Sequence, residues 1–384
     1  MNRCRSCLIP DTRPDTAFVD GECSACINFK KRTEIDWGAR KRQLESILEQ
    51  GRNGSGFDCV VPSSGGKDSH YQVLTLIEMG ARPLVVTAST CHLTEVGRLN
   101  IDNLARHATT IEVTPNRSVR ARLNRFGLET VGDISYPEHM AIFSIPFKVA
   151  SDFGIPLLFY GESPQREYGC PNGAEEALTM TRRWVHEFGG LLGLRANDCV
   201  GYRGISKADM GDYLLPSDAK LVHTTAYFLG QFLPWDSHLN ARIAKKAGMI
   251  QMLPSMANWW EHENLDNAQT GLHDYMMYRK YGYGRACAQL SIDIRNQHIT
   301  RDFALKEVLQ RDGLFPEHYM GVSIDEVLEW IELTRDDLVM VTDKFTNWNL
   351  FRRVIDEPFA PLMSSFYRPS DISDFQMGEL PHPK

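Results

Sequence analysis

Residues 57–69 read FDCVVPSSGGKDS, a short apolar run that ends abruptly in serines, glycines, a lysine and an aspartate. Phe57, Cys59, Val60 and Val61 suit a buried parallel strand. HYQVLTLIEMG (70–80) then carries apolar residues at helical spacing and closes on a glycine. The loop between them sits where a strand hands over to a helix. Gly65 and Gly66 let the backbone approach an anion closely, while Ser64, Asp68, Ser69 and the first N–H groups of the helix point toward the same spot. With Ser63 at the strand end, such a nest suits a phosphate or pyrophosphate.

Outward from this loop, strands and helices alternate. IDWGARKRQLESILEQ (35–50) reads as a helix, and GRNGSG as a hinge into the first strand. ARPLVVTAST (81–90) and TTIEVTP (109–115) read as strands around the helix EVGRLNIDNLARHA (95–108). MAIFSIPFKVASDFG (140–154) is a helix feeding the strand IPLLFYGES (155–163). This order predicts an α/β fold with a doubly wound parallel sheet, whose ligands sit at the carboxyl ends of strands near the switch in strand order. The strand ends at Ser63, Thr87 and Ser163 are therefore the places to look.

The stretch GESPQREYGCPNG (161–173) is polar and turn-rich directly after a buried strand, where an active-site loop belongs. Its Glu162 and Glu167 either hold magnesium or position a substrate amine, or are solvated loop acids. Residues 174–212 resist assignment. LVHTTAYFLG (221–230) reads as a further strand and SHLNARIAKKAGM (237–249) as a helix, with Lys245 and Lys246 either reaching phosphates or lying on a solvated basic face. Beyond 255 the pattern is helical, with Thr300, Ser323 and Thr334 as N-caps. Met276, Met277, Tyr278, Tyr281 and Tyr283 are read as packing residues, and the polar tail 368–384 as loosely held.

The 384 residues, 42% hydrophobic and 24% charged, suffice for two domains and an appendage. A net charge of −7 gives no electrostatic reason to expect nucleic acid. No apolar stretch approaches a membrane span and the start lacks a signal-peptide core, so a cytoplasmic location is expected. Nine cysteines, an odd number, argue for thiols and metal ligation over disulfides. Cys4-x2-Cys7 and Cys23-x2-Cys26, fifteen residues apart, have the spacing that places four thiolates around one structural zinc. The turn-rich residues between the knuckles cannot build a core unaided, so the metal is expected to hold this piece together.

The loop is not the commoner P-loop, which needs a glycine and a hydroxyl residue where Val61 and Asp68 stand. Residue for residue, Ser64-Gly65-Gly66-Lys67-Asp68-Ser69 resembles the SGGxDS loop of the PP-loop ATP pyrophosphatases, which split ATP into AMP and pyrophosphate. Together with the cysteine knuckles, the FYGES strand end, the EYG that follows and HDYMMYRKYGYGRACAQLSIDIRNQHITRDFAL (273–305), the chain resembles the N-acetyl sugar amidotransferases. These belong to bacterial surface-polysaccharide (lipopolysaccharide O-antigen) and flagellin-glycan pathways, and the likeness runs from Cys4 to about Asn347. It departs at Cys170, where the family usually has glycine.

The resemblance implies a HUP-like PP-loop fold in three parts: a zinc module (1–34), an ATP-binding α/β domain (35–254) and a helical domain (255–384). It implies ATP, with magnesium, as cosubstrate, and exchange of an acetamido oxygen for nitrogen to give an acetamidino group. Pyrophosphate would leave into the loop, helped by the hydroxyls of Ser64 and Ser69 and by Lys67, while Asp68 orients the loop or binds magnesium through water. Ser63 and Gly161 complete the ATP set, with Val86 and Thr87 cradling adenine. His139, Glu162, Glu167 and Tyr168 are the expected substrate-side residues.

Neither a G-x-C-x-G elbow nor an N-terminal nucleophilic cysteine is present, so ammonia is expected from a separate glutaminase, with a conducting subunit. One rival is a tRNA-thiolating PP-loop enzyme, which would need a basic surface and further paired cysteines. Another is a non-catalytic nucleotide-binding scaffold. The sugar stays open between a diacetamido uronic acid on UDP and a nonulosonic acid such as pseudaminic or legionaminic acid, and a homo-oligomer is left open too.

Overall fold

Near the N-terminus the short hairpin β1 (Phe18–Val19) and β2 (Glu22–Cys23) leads into α1 (Ser24–Lys31). The computed structural model describes residues 1–52, 54, 56–169, 177–254, 257–353 and 366–367. Cys170, the rest of the 161–173 stretch beyond Gly169, and the tail 368–384 lie outside the described residues. α2 (Trp37–Gly51) starts where Asp36 accepts the Ala39 N–H at 2.9 Å, an N-cap made by the acid of the IDWG segment.

The α/β reading is correct. β3 (Cys59–Pro62), β4 (Pro83–Ala88), β5 (Thr109–Val113), β6 (Leu157–Tyr160) and β8 (Thr225–Phe228) are parallel, in the order β5-β4-β3-β6-β8. The edge strand β7 (Thr179–Met180) joins β8 antiparallel, inside the region that resisted assignment. Helices α3 (Lys67–Glu78), α4 (Glu95–Leu104), α5 (Arg117–Val131), α6 (Tyr136–Asp152), α7 (Pro164–Tyr168), α8 (Arg182–Phe188), α9 (Asp218–Leu221) and α10 (Ser237–Lys246) accompany the sheet.

Strand alternation divides the core into two layers. Val60, Leu84, Val86 and Leu158 point to the face covered by α5 and α6, whereas Cys59, Val61, Val85 and Phe159 face α2 and α3. Each fully buried aliphatic there contributes about 1.5–3 kcal/mol. From β3 the chain winds out one way through β4 and β5, and from β6 the other way to β8. The loops after β3 and β6 therefore flank the switch point.

Two helix starts differ from the sequence reading. α3 begins at Lys67, not His70, because Gly66 is already its extended N-cap (φ −75°, ψ 178°), so the polar triplet Lys-Asp-Ser forms the first turn. α6 begins at Tyr136, with Pro137 in its first turn where a missing N–H costs nothing.

The late helices are α11 (Thr270–Tyr281), α12 (Arg285–Arg295), α13 (Arg301–Arg311), α14 (Ile324–Trp330) and α15 (Arg335–Phe345). Thr300, Ser323 and Thr334 cap three of them, the last two as reciprocal boxes with Glu326 and Asp337. Met276, Tyr278 and Tyr283 are buried packing residues, and Lys245 and Lys246 are exposed. The core of α11, α14 and α15 includes Leu128 and Ile134, so these helices pack directly on the sheet-bearing part of the chain. Among the described residues no helix is long and apolar enough to cross a membrane.

Candidate active site

The glycines of the loop do what their position requires. Gly65 has φ +82°, and a Cβ there would lie 2.9 Å from the Ile101 nitrogen and 3.0 Å from its Cγ1, so the loop presses on the backbone of α4. Its N–H donates to Ser63 Oγ at 3.0 Å. The first backbone bond of α3 runs from His70 N–H to the Gly66 carbonyl (3.1 Å), leaving Lys67, Asp68 and Ser69 N–H groups with no partner inside the helix. Gly65→Ala is expected to cost about 1–2 kcal/mol for the left-handed backbone alone, and more as α4 yields. Thermal unfolding checks this, and nucleotide binding should fall with it.

The loop opens into a cavity lined by Ser64–Ser69 and, across from them, His262, Glu263 and Asp266. A second, smaller recess is lined by Glu162, Glu167, Tyr168, Trp235 and Ser237. Lys67, Asp68 and Glu263 line both, forming the wall between them. Lys67 is 4% exposed. Its Nζ lies 2.7 Å from Asp68 Oδ2, 3.3 Å from Glu263 Oε1 and 5.8 Å above the Trp260 ring. Burial alone would lower this ammonium, but Asp68 and Glu263 more than offset it and hold the charge on. Asn240 Nδ2 donates to Asp68 Oδ1 at 3.0 Å and fixes the other side of that carboxylate.

The acids of the two cavities are driven apart. Burial, reinforced by Asp68, pushes Glu162 up to about 7. Burial also acts on Glu263, but Lys67 and Arg285 outweigh it and hold that carboxyl down to about 2, while Gln289 donates to its Oε2 at 2.6 Å. Burial raises Asp266 to about 6 and, aided by Lys67, drops His262 to about 3. One neutral-capable carboxyl thus sits beside one firmly ionised one.

The four cysteines converge. Cys4 and Cys26 Sγ are 3.8 Å apart, Cys7 and Cys23 Sγ 3.6 Å, and all four sulfurs lie within 4.8 Å of one another. Four thiolates about 2.3 Å from one tetrahedral zinc have edges of about 3.8 Å, so the cluster fits that ion and leaves no position open. N–H groups of Cys7, Ile9 and Cys23 point at the sulfurs. The module is anchored on α12, where Leu8 N–H donates to Ser291 Oγ (3.2 Å), and on α13, where Arg301 donates to the Cys7 carbonyl (3.1 Å). It also grips α7. Arg13 donates to the Tyr168 carbonyl, Arg32 pairs with Glu167, and a Cβ on Gly169 would collide with Ser24.

Of the residues singled out from the sequence, the structure brings Ser64, Gly65, Gly66, Lys67, Asp68, Ser69, Glu162, Glu167 and Tyr168 to these cavities. Gly161 lies at the end of β6, its carbonyl accepting Gly230 N–H at 3.0 Å. Val86 and Thr87 are buried and line neither cavity, and the Val86 carbonyl is taken by Ser63 N–H (2.9 Å). His139 stands elsewhere, in a cluster with Asp133 and His273. Asp133 Oδ2 is 3.3 Å from His139 Nδ1, and Asp133 outweighs burial to raise that imidazole. Glu263, His262, Asp266 and Asn240 were missed. The signal available was NWWEHENLDN (258–267), dense in aromatic and acidic residues without helical or strand periodicity. The N-cap Thr94 of α4 holds this stretch, its N–H bonding the Asp266 carbonyl at 3.0 Å and its hydroxyl the Leu265 carbonyl.

Comparison with known proteins bears on the segment that closes this site. Residues 255–360 match the family model of the LPS biosynthesis protein WbpG-like, C-terminal domain. No curated protein matches the chain. Among solved structures, NMN synthetase from Francisella tularensis is similar at 12% identity, covering 58% of this chain and 99% of that one, with a TM-score of 0.26. The likeness over residues 255–360 to a domain of lipopolysaccharide-biosynthesis proteins is in keeping with the surface-polysaccharide resemblance of the sequence.

Proposed function

We propose that this chain is an ATP-dependent, AMP-forming amidotransferase acting on an N-acetylated, nucleotide-activated sugar. The observation that carries the reading is the wall of Lys67, Asp68 and Glu263 between two cavities, one under the glycines and helix N-terminus, the other holding Glu162 and Tyr168. The first suits the phosphates of ATP and the second the acetamido group.

In this reading the acetamido oxygen attacks the α-phosphorus of ATP and pyrophosphate leaves into the loop. Lys67 and the N–H groups of the first turn of α3 take up its charge. Ammonia then adds to the activated carbon, a proton is lost, and AMP departs with the former amide oxygen, leaving an acetamidino group. Asp68 is the residue proposed to hold magnesium. Val86 and Thr87 remain the proposed adenine side, Ser63 and Gly161 complete the proposed ATP set, and the proposed organisation is in three parts divided at 34 and 254. Ammonia is proposed to come from a partner glutaminase, a reading supported by the lack of a G-x-C-x-G elbow in the sequence.

Glu162 is the proposed base for the proton lost by ammonia. With its carboxyl pushed up to about 7, it is largely protonated below neutrality and ionised above it. Rate plotted against free-ammonia concentration is therefore expected to rise through about pH 7 in the wild type. Glu162→Gln should flatten that limb and lower the plateau.

ATP–pyrophosphate exchange tests the class of substrate. Exchange stimulated by nucleotide sugars bearing acetamido groups supports the proposal, whereas stimulation by tRNA, or none by either, contradicts it.

A further inference from the structure

Three side chains that the scheme above does not use meet at one point. His238 stands in the first turn of α10, Asp293 near the end of α12 and His298 in the turn beyond it. Gln297, at φ +60°, reverses the chain there, and His298 N–H donates to the Asp293 carbonyl at 2.9 Å, bringing the second imidazole back to the carboxylate. His238 Nε2 lies 2.6 Å and His298 Nδ1 3.6 Å from Asp293 Oδ1, with the two rings edge to face at 4.7 Å. One ligand atom from each residue falls within 4.8 Å of the others.

The far oxygen of the same carboxylate is already spoken for. The indole Nε1 groups of Trp259 and Trp260 both donate to Asp293 Oδ2, each at 3.0 Å, and Asp293 is 2% exposed. A tie between α10 and α12 needs one histidine only. Two donors orienting Oδ2 and two imidazoles facing Oδ1 form the outer support typical of a ligating carboxylate. Two histidines and one carboxylate suit zinc or a similar divalent transition ion, and three protein ligands leave a position open. His238 also lines an open cleft with Arg242, Lys245, Trp260, Glu261 and His262, where the two cationic side chains outnumber the one acid and favour an anionic group at that open position.

We propose that His238, Asp293 and His298 form a second divalent-metal site, separate from the four-cysteine cluster and independent of the ATP chemistry. The test uses the full chain, loaded with Zn2+, dialysed, and assayed for metal by inductively coupled plasma mass spectrometry. Two zinc ions per chain are expected, falling to one in His298→Ala, whose side chain is 40% exposed and therefore a mild place to substitute. Trp259→Phe keeps most of the ring but removes one N–H, and should weaken the second ion roughly 10- to 100-fold. One ion in the wild type overturns the proposal. So do two ions in both the wild type and His298→Ala, which would put the second ion elsewhere.

Discussion

Lys67→Met is expected to slow sugar-dependent pyrophosphate exchange by about 10²–10³-fold, the scale of losing one preorganised charge at a departing anion. Methionine fills the same slot beside Trp260 but carries no charge. Asp68 and Glu263, which share the Lys67 ammonium at 2.7 and 3.3 Å, would then face each other without it. Removing one member of a buried ion group typically costs about 3–5 kcal/mol, so a lower melting temperature should accompany the loss of rate. The pH dependence of stability supplies a second readout. Glu263 is held down to about 2 because Lys67 and Arg285 outweigh its burial. Its contribution is thus present above the ordinary carboxylate range and lost as pH falls toward about 2. In Lys67→Met that loss should begin at higher pH. A folded methionine variant exchanging at the wild-type rate would count against the assigned role.

Zinc removal, by chelation or by Cys23→Ser, is expected to have the other large effect. The segment before α1 has little core of its own, and structural zinc sites of this kind contribute on the order of 10 kcal/mol. Losing the ion should release Arg13 from the Tyr168 carbonyl and Arg32 from Glu167, freeing α7 at the second cavity while leaving the SGGKDS loop on its strand. ATP binding, measured by calorimetry, should persist. Exchange should fall by roughly 10²-fold, the cost of misplacing a substrate contact by about 1 Å. Loss of ATP binding and exchange together would point instead to global unfolding, and full exchange without zinc would remove the coupling altogether.

The sheet and the glycine loop after its first long strand were legible in the sequence because both are local. β3 and α3 are contiguous with the loop, and Gly65 has a conformational reason to be glycine that no neighbour could change. The cysteine cluster was legible for the same reason, since ligand spacing is written in the chain. Glu263 was not legible: it lies in an irregular stretch, and its ionisation depends on Lys67, 196 residues away. Nor was the packing of α11 and α14 against Leu128, because an amphipathic face announces that it will be covered without naming its cover. β7 has two residues and joins the sheet only through β8. The place of His139 was not legible either, because it is set by Asp133 and His273, the latter from a distant segment.

The most direct measurement follows the oxygen. A nucleotide sugar carrying 18O in its acetamido group, incubated with the enzyme, ATP and ammonium, should deliver one 18O to the AMP released, read by mass spectrometry alongside an acetamidino product. Unlabelled AMP beside that product, or ADP in place of AMP, would contradict attack of the acetamido oxygen on the α-phosphorus.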